Sequence, residues 1–164
     1  MMVMVWLSFK MYTRKFIHVG EIHIGARATE ISTILGSCVA VCLYDRVNEM
    51  GGMNHYLVPL WNETGLQSPR YGNISIPRLI DSMLNIGCEL QNIEAKLFGG
   101  ANIIDVTHTD MMIGRKNILI AKEILRDYKI PIVAQDVGGE KGRRIMMRSD
   151  TGKVFLKYTK NGEQ

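Results

Sequence analysis

Val39-Ala40-Val41-Cys42-Leu43-Tyr44, then Asp45 to Glu49, then Gly51-Gly52-Met53-Asn54-His55-Tyr56-Leu57-Val58-Pro59: this stretch decides how the chain folds. The first run is short, apolar and rich in β-branched residues, as a buried strand is. Asp45 to Glu49 reads as a turn, and the second run reads as the returning strand of a hairpin. Immediately upstream, Thr29 to Leu35 (TEISTIL) alternates enough for a further strand, and Gly36-Ser37 breaks it just before Cys38.

Downstream, Trp61 to Ser75 holds Asn, Gly, Pro and Ser and reads as a long loop, a feature that in compact domains is often functional. Ser75 and Pro77 are helix-start signals. Leu79, Ile80, Met83, Leu84, Gly87, Cys88 and Gln91 then follow helical spacing, which makes Cys88 a core residue of that helix. Ala95 to Phe98 reads as a strand ending at Gly99-Gly100. Ile103 to Met112 has no clear pattern. Lys116 to Tyr128 reads as a helix stopped by Pro131, Ile130 to Gln135 as a strand, and Ile145 to Arg148 with Lys153 to Tyr158 as a terminal hairpin around Ser149-Asp150-Thr151-Gly152. Paired strands with two amphipathic helices make an α+β fold, and 164 residues make one domain.

Several classes drop out on composition. No apolar run approaches the roughly 18 residues of a membrane span. Met1 to Leu7 is apolar but short, and its basic residues Lys10, Arg14 and Lys15 follow it, whereas a secretory signal carries them in front. A later core over residues 16–25 with Ala26-Arg27-Ala28 as cleavage site is interrupted by His18, Glu21 and His23. Three cysteines, Cys38, Cys42 and Cys88, form no disulfide framework and point to reduced thiols in a cytoplasmic protein. The net charge of +4 is uneven: from Lys141 onward seven basic residues face Asp150 and Glu163, leaving +5 there and −1 over the first 140. No aromatic interleaving or motif supports nucleic-acid binding. The basic end reads as a solvated hairpin face, with steering of an acidic protein partner as the functional alternative.

The chemistry concentrates at Cys38. A cysteine just past a glycine-containing break can be exposed, with free backbone N–H groups nearby to hold an oxyanion. A free thiol is only slightly ionised at pH 7, so a neighbouring histidine that takes its proton and later protonates a leaving group is valuable. His55 lies 17 positions on, in the partner strand of the hairpin. If the strands pair around Asp45 to Glu49, their far ends bring Cys38 and His55 together. A third group could orient the imidazole. Thr33 and Ser32 are near in sequence and point to opposite faces of a strand, so one of them serves, while Ser37 is better suited to completing the turn. Bland uses compete: a lone cysteine in an apolar segment is usually a buried hydrophobe, and a lone histidine usually a satisfied core or turn residue. A metal set of Cys38, Cys42 and His55 has unusual spacing and no fourth ligand. Asp105, His108 and Asp110 read as a polar loop. Gly99-Gly100 lacks the phosphate-loop patterns and reads as close backbone packing near an active site.

Leu35-Gly36-Ser37-Cys38-Val39-Ala40-Val41-Cys42-Leu43 closely resembles the chemoreceptor glutamine deamidases, the CheD family, and so does Gly51 to Pro59 at that family's Cys-to-His separation. Further matches are Ala95 to Ala101, Ile113-Gly114 followed by Asn117, Asp136 to Gly139 with Arg143-Arg144, and Gly152-Lys153-Val154. The resemblance covers residues 16–160, leaving 1–15 as an N-terminal extension without counterpart and 161–164 as a tail. It implies a four-layer α/β/β/α sandwich of mixed sheets, with Cys38 and His55 catalytic and Thr33 the orienting residue, Ser32 its alternate. It implies conversion of receptor glutamines to glutamates with ammonia release and no cofactor or metal, and in some members hydrolysis of glutamyl methyl esters. Chemoreceptor cytoplasmic domains are the implied substrate, and a CheC-type phosphatase of the response regulator CheY the implied partner. The loop after Tyr71 (GNISIP) is less typical of the family and bears on specificity. A non-catalytic docking module acting on the CheC-type phosphatase is the main rival; a cysteine peptidase or transglutaminase with the same dyad is another.

Overall fold

The computed structural model describes residues 9–102 and 108–160, the side chains of 108–111 aside. Nine strands and two α-helices follow one another as β1 (Thr13–Phe16), β2 (Ile22–Ile24), β3 (Thr29–Leu35), β4 (Val39–Asp45), β5 (Met50–Asn54), α1 (Gly72–Asn85), β6 (Ile93–Gly99), α2 (His108–Asp127), β7 (Ile132–Val137), β8 (Arg143–Arg148) and β9 (Val154–Tyr158) among the described residues. They form two mixed sheets. One runs β1-β3-β8-β9 and the other β2-β5-β4-β6-β7. The β1–β3 and β6–β7 pairs are parallel and the rest antiparallel. The α+β reading in one domain is therefore correct.

The period of two in the strands sorts their side chains into two cores. In β4, Val39, Val41 and Leu43 face α1 and α2, where they meet Ile76, Leu79, Ile80, Met83, Ala121 and Leu125. The alternating Ala40 and Cys42 face the other sheet and meet Ile31, Leu35, Ile145 and Met147. A strand buried on both faces reads as an unbroken apolar run, which is why VAVCLY is legible. Both described helices lie on the five-stranded sheet, so a helical layer and two stacked sheets follow one another.

The hairpin of β4 and β5 forms as predicted, with Asp45 opposite Met50 and Cys42 opposite Met53. Asp45 fixes its turn: the buried carboxylate accepts from the Val47 and Asn48 amides, the Asn48 side chain and the Glu89 amide. Burial would raise its pKa, but these donors hold it below the usual carboxylate value.

Other boundaries moved. Helix α1 begins at Gly72, a turn before Ser75. The Ser75 hydroxyl is spent on the buried Asn54 side chain instead of a cap. Cys88 is buried but lies beyond the helix, because Gly87 takes φ +104° and the Cys88 amide returns to the Met83 carbonyl at 3.1 Å. Strand β5 stops at Asn54, short of Pro59. Helix α2 starts at His108, within the stretch that had no clear pattern. Strands β1 and β2 were not anticipated; they are short edge strands, without the length that makes alternation readable.

Candidate active site

Antiparallel pairing extends one step past β5, as Val39 and Tyr56 exchange backbone hydrogen bonds of 3.2 and 3.0 Å. In this register Ala40 stands opposite His55, and Cys38 is the diagonal neighbour of His55 on the same face. Diagonal neighbours have Cβ atoms about 7 Å apart, within reach of an imidazole ring. That face is the seam between the sheets: Cys38 packs against the inter-sheet core and His55 continues the side of β5 marked by Met53.

The opposite wall of the seam supplies Thr33, fully buried on β3 between the inward-facing Ile31 and Leu35. Its Oγ1 lies 2.7 Å from His55 Nδ1 and 2.7 Å from the Ile17 carbonyl oxygen. One hydroxyl has one proton, and the carbonyl can only accept it. Thr33 therefore donates to Ile17, and Nδ1–H of His55 donates to Thr33. This fixes the tautomer and leaves Nε2 with its lone pair free; Nε2 is buried and without a hydrogen-bond partner among the described residues. Ser32 is on the other face of β3, in register with Phe16 and Met146, and does not meet the imidazole. Ser37 lies in the bend.

The loop carrying Cys38 is held from outside by its carbonyls. Gly36 accepts from Ala101 N–H at 2.9 Å, Cys38 from Gly100 N–H at 2.8 Å, and Ser37 from the Asn117 side chain at 3.0 Å. Among the described residues, neither the Ser37 nor the Cys38 amide donates to a carbonyl. The diglycine makes this embrace possible. Gly99 (φ +107°) and Gly100 (φ +69°) adopt conformations that side chains disfavour, and a Cβ on Gly99 would sit 2.2 Å from the Cys38 carbonyl oxygen. On α2, Gly114 also approaches closely, since a Cβ there would lie 2.7 Å from the Gly100 carbonyl oxygen. Gly99-Gly100 is thus used for close backbone packing, as expected.

A second ring of support stands behind the diglycine. Buried Arg143 donates to Asp136 at 2.6 Å and to the Gly138 carbonyl at 2.8 Å. Gly138 N–H in turn bonds the Gly99 carbonyl, and Asn102 N–H the Gly139 carbonyl. Sequence reading took Asp136 to Gly139 as a turn and Arg143 as part of a solvated basic face. The structure corrects the latter for Arg143, which has a mere 3% of its surface exposed.

Burial sets the protonation states. It pushes the Cys38 thiol up to about 11, and it pulls His55 down to about 4, helped by nearby His18 and opposed by Glu21. At neutral pH the pair is thiol and neutral imidazole, with the bare Nε2 as the available base.

The other candidates separate. Cys42 lies on β4, four residues along extended chain from Cys38, about 13 Å at strand rise, too far to share a metal. Among the described residues no cluster of His, Cys, Asp or Glu could hold a metal ion. Asp105 lies outside the described residues, and the His108 and Asp110 side chains lie outside them too. No described helix is long and apolar enough to cross a membrane.

Residues 59–158 match the family model described as CheD chemotactic sensory transduction, a stretch that begins downstream of Cys38 and His55. A protein of Sulfurimonas denitrificans called "Probable chemoreceptor glutamine deamidase CheD" is 49% identical over 153 residues, covering 93% of this chain and 98% of that protein. The chain belongs to the CheD family. CheD relatives with the same printed name come from Trichlorobacter lovleyi, 44% identical over 91% of this chain and 92% of its own, and from Thermococcus kodakarensis, 38% identical over 88% and 92%. Asn117 is the CheD-like position that reading from the residues alone left without a role. Its one sequence signal was the spacing after Ile113-Gly114, and that signal carries meaning once α2 is seen against the Cys38 loop.

Proposed function

We propose that this protein is a chemoreceptor glutamine deamidase, an amidohydrolase that turns receptor glutamine side chains into glutamates with release of ammonia. Its membership of CheD and the printed names of its relatives support the activity. The observation that carries the residue assignment is the hydrogen bond of 2.7 Å between Thr33 and His55, which holds the imidazole through Nδ1 and leaves Nε2 buried and without a partner among the described residues.

In this reading Cys38 is the nucleophile, His55 the base and acid, and Thr33 the residue that holds the imidazole. Sγ attacks the carboxamide carbon while its proton passes to Nε2, since neither partner is charged at rest. The amides of Ser37 and Cys38, which donate to no carbonyl among the described residues, are the oxyanion donors in this reading, and each such donor is worth roughly 2.7–4 kcal/mol of barrier. The imidazolium then gives its proton to the departing nitrogen, because an amide anion is too poor a leaving group. A thioester remains on Cys38. His55 takes a proton from water, hydroxide adds to the thioester carbonyl, and the adduct collapses to the glutamyl carboxyl group while the imidazolium returns its proton to the departing Cys38 sulfur. No step calls on a metal or cofactor.

The finer assignments belong to the same proposal: a cytoplasmic protein whose deamidase unit spans residues 16–160, with receptor cytoplasmic domains as substrate, a CheC-type phosphatase as partner and glutamyl methyl ester hydrolysis as a second activity of the same dyad. The test is incubation with receptor cytoplasmic fragments, following mass by peptide. Wild type is expected to add one dalton at particular glutamines. Cys38→Ala and His55→Ala are expected to add none. Equal mass gain in wild type and Cys38→Ala would overturn the assignment, and peptide cleavage or amine incorporation would select the rival chemistries.

A further inference from the structure

The last backbone pair of the β4–β5 hairpin is Val39 with Tyr56; beyond it the two chains diverge, one into the loop of Cys38 and the other into the segment after His55. A helix residue closes that gap. Asn117 of α2, fully buried, points its Nδ2 at the Ser37 carbonyl (3.0 Å) and the Leu57 carbonyl (2.9 Å). Both neighbours are carbonyl oxygens, so the amide end of the side chain must face them. The same residue is gripped from below, where the Tyr56 hydroxyl donates to the Asn117 backbone carbonyl at 2.5 Å. Asn117 therefore bonds the residue before Cys38 and the second residue after His55, and is bonded by the residue between. Gly114 facing Gly100 is what lets α2 come near enough.

We propose that Asn117 is a positioning residue for the deamidation reaction: its carboxamide sets the spacing of Cys38 and His55 by clasping the two chain segments that carry them. This rests on the assignment of Cys38 and His55 above. Asn117 touches neither substrate nor reacting atoms. A misplacement on the scale of 1 Å is enough to cost about a hundredfold in rate, and the two carbonyls have no other tie across the gap among the described residues.

Asn117→Asp keeps the shape and removes the donor; Tyr56→Phe keeps the ring and removes the grip on the helix. With receptor fragments, Asn117→Asp is expected to lower kcat at least about tenfold with KM within about threefold, and Tyr56→Phe to lower kcat about threefold or more. A receptor-free arm reads alkylation of Cys38 by iodoacetamide at pH 7, by peptide mass. Removing His55 by His55→Ala is expected to change that rate in wild type and to change it less than about twofold in Asn117→Asp, as a coupled pair requires. Full additivity of the two substitutions, or kcat within twofold of wild type in folded Asn117→Asp, overturns the proposal. If Asn117→Asp does not fold, Tyr56→Phe decides, and kcat within twofold of wild type overturns it. Failure of wild type to deamidate receptor while the alkylation cycle shows coupling sinks the receptor reading and leaves the clasp standing.

Discussion

Thr33 is the residue whose chemistry is tightest. Its single proton goes to Ile17, so its oxygen must accept from His55. Thr33→Val keeps the volume and leaves Nδ1–H and the Ile17 carbonyl without partners in the seam, at a cost of about 1–3 kcal/mol. Thr33→Ser keeps the oxygen. Urea unfolding and the mass-gain assay together check this: Val is expected to lose both stability and most of kcat, Ser to keep most of both. His55 itself links stability to pH. Its folded pKa of about 4 lies below the ordinary value of 6.5, so between those values the unfolded chain binds more protons. Stability is complete above pH 6.5 and is lost as pH falls toward 4, by roughly 3 kcal/mol. Urea midpoints across this window are expected to fall less steeply in His55→Gln than in wild type; equal slopes would show that His55 is not held neutral.

At the level of elements, the deciding feature is a turn of two glycines. Gly99→Ala asks alanine to adopt φ +107° with its methyl group 2.2 Å from the Cys38 carbonyl oxygen. Neither backbone can yield without moving the loop of Cys38. The expected outcome is loss of deamidation at a temperature where circular dichroism still reports a folded chain; an active Gly99→Ala protein would show that the close approach is dispensable. The same elements show what sequence discloses. The doubly buried run of β4 and the alternation of β3 were readable because each fixes its own periodicity, and the hairpin followed from them. The placing of Cys38 and His55 as diagonal neighbours on one face was readable through that hairpin. Thr33 against Ser32 was not, because choosing the inward face requires knowing which sheet lies behind. Asn117 was not readable as support for the site, because its partners are carbonyls of loops distant in the chain and backbone acceptors leave no trace in side-chain identity. Arg143 was not readable either, because a basic residue in a basic stretch looks solvated until its burial and its pairing with Asp136 are seen.

Across the whole molecule, two cores share one strand. Val39, Val41 and Leu43 bind the helices, while Ala40 and Cys42 bind the second sheet. Leu79 is fully buried in the helix-facing core, and Leu79→Ala is expected to destabilise by about 2–5 kcal/mol in urea unfolding. The residual activity below the midpoint should match wild type, since the seam is on the opposite face of the sheet.

The imidazole and the hydroxyl that steadies it belong to different sheets, so their contact lasts only while the two sheets keep their alignment. The reaction is in effect a gauge of how well two slabs stay aligned. Gentle guanidinium or pressure that lets them slide by less than a bond length would silence turnover while every strand ladder remained zipped.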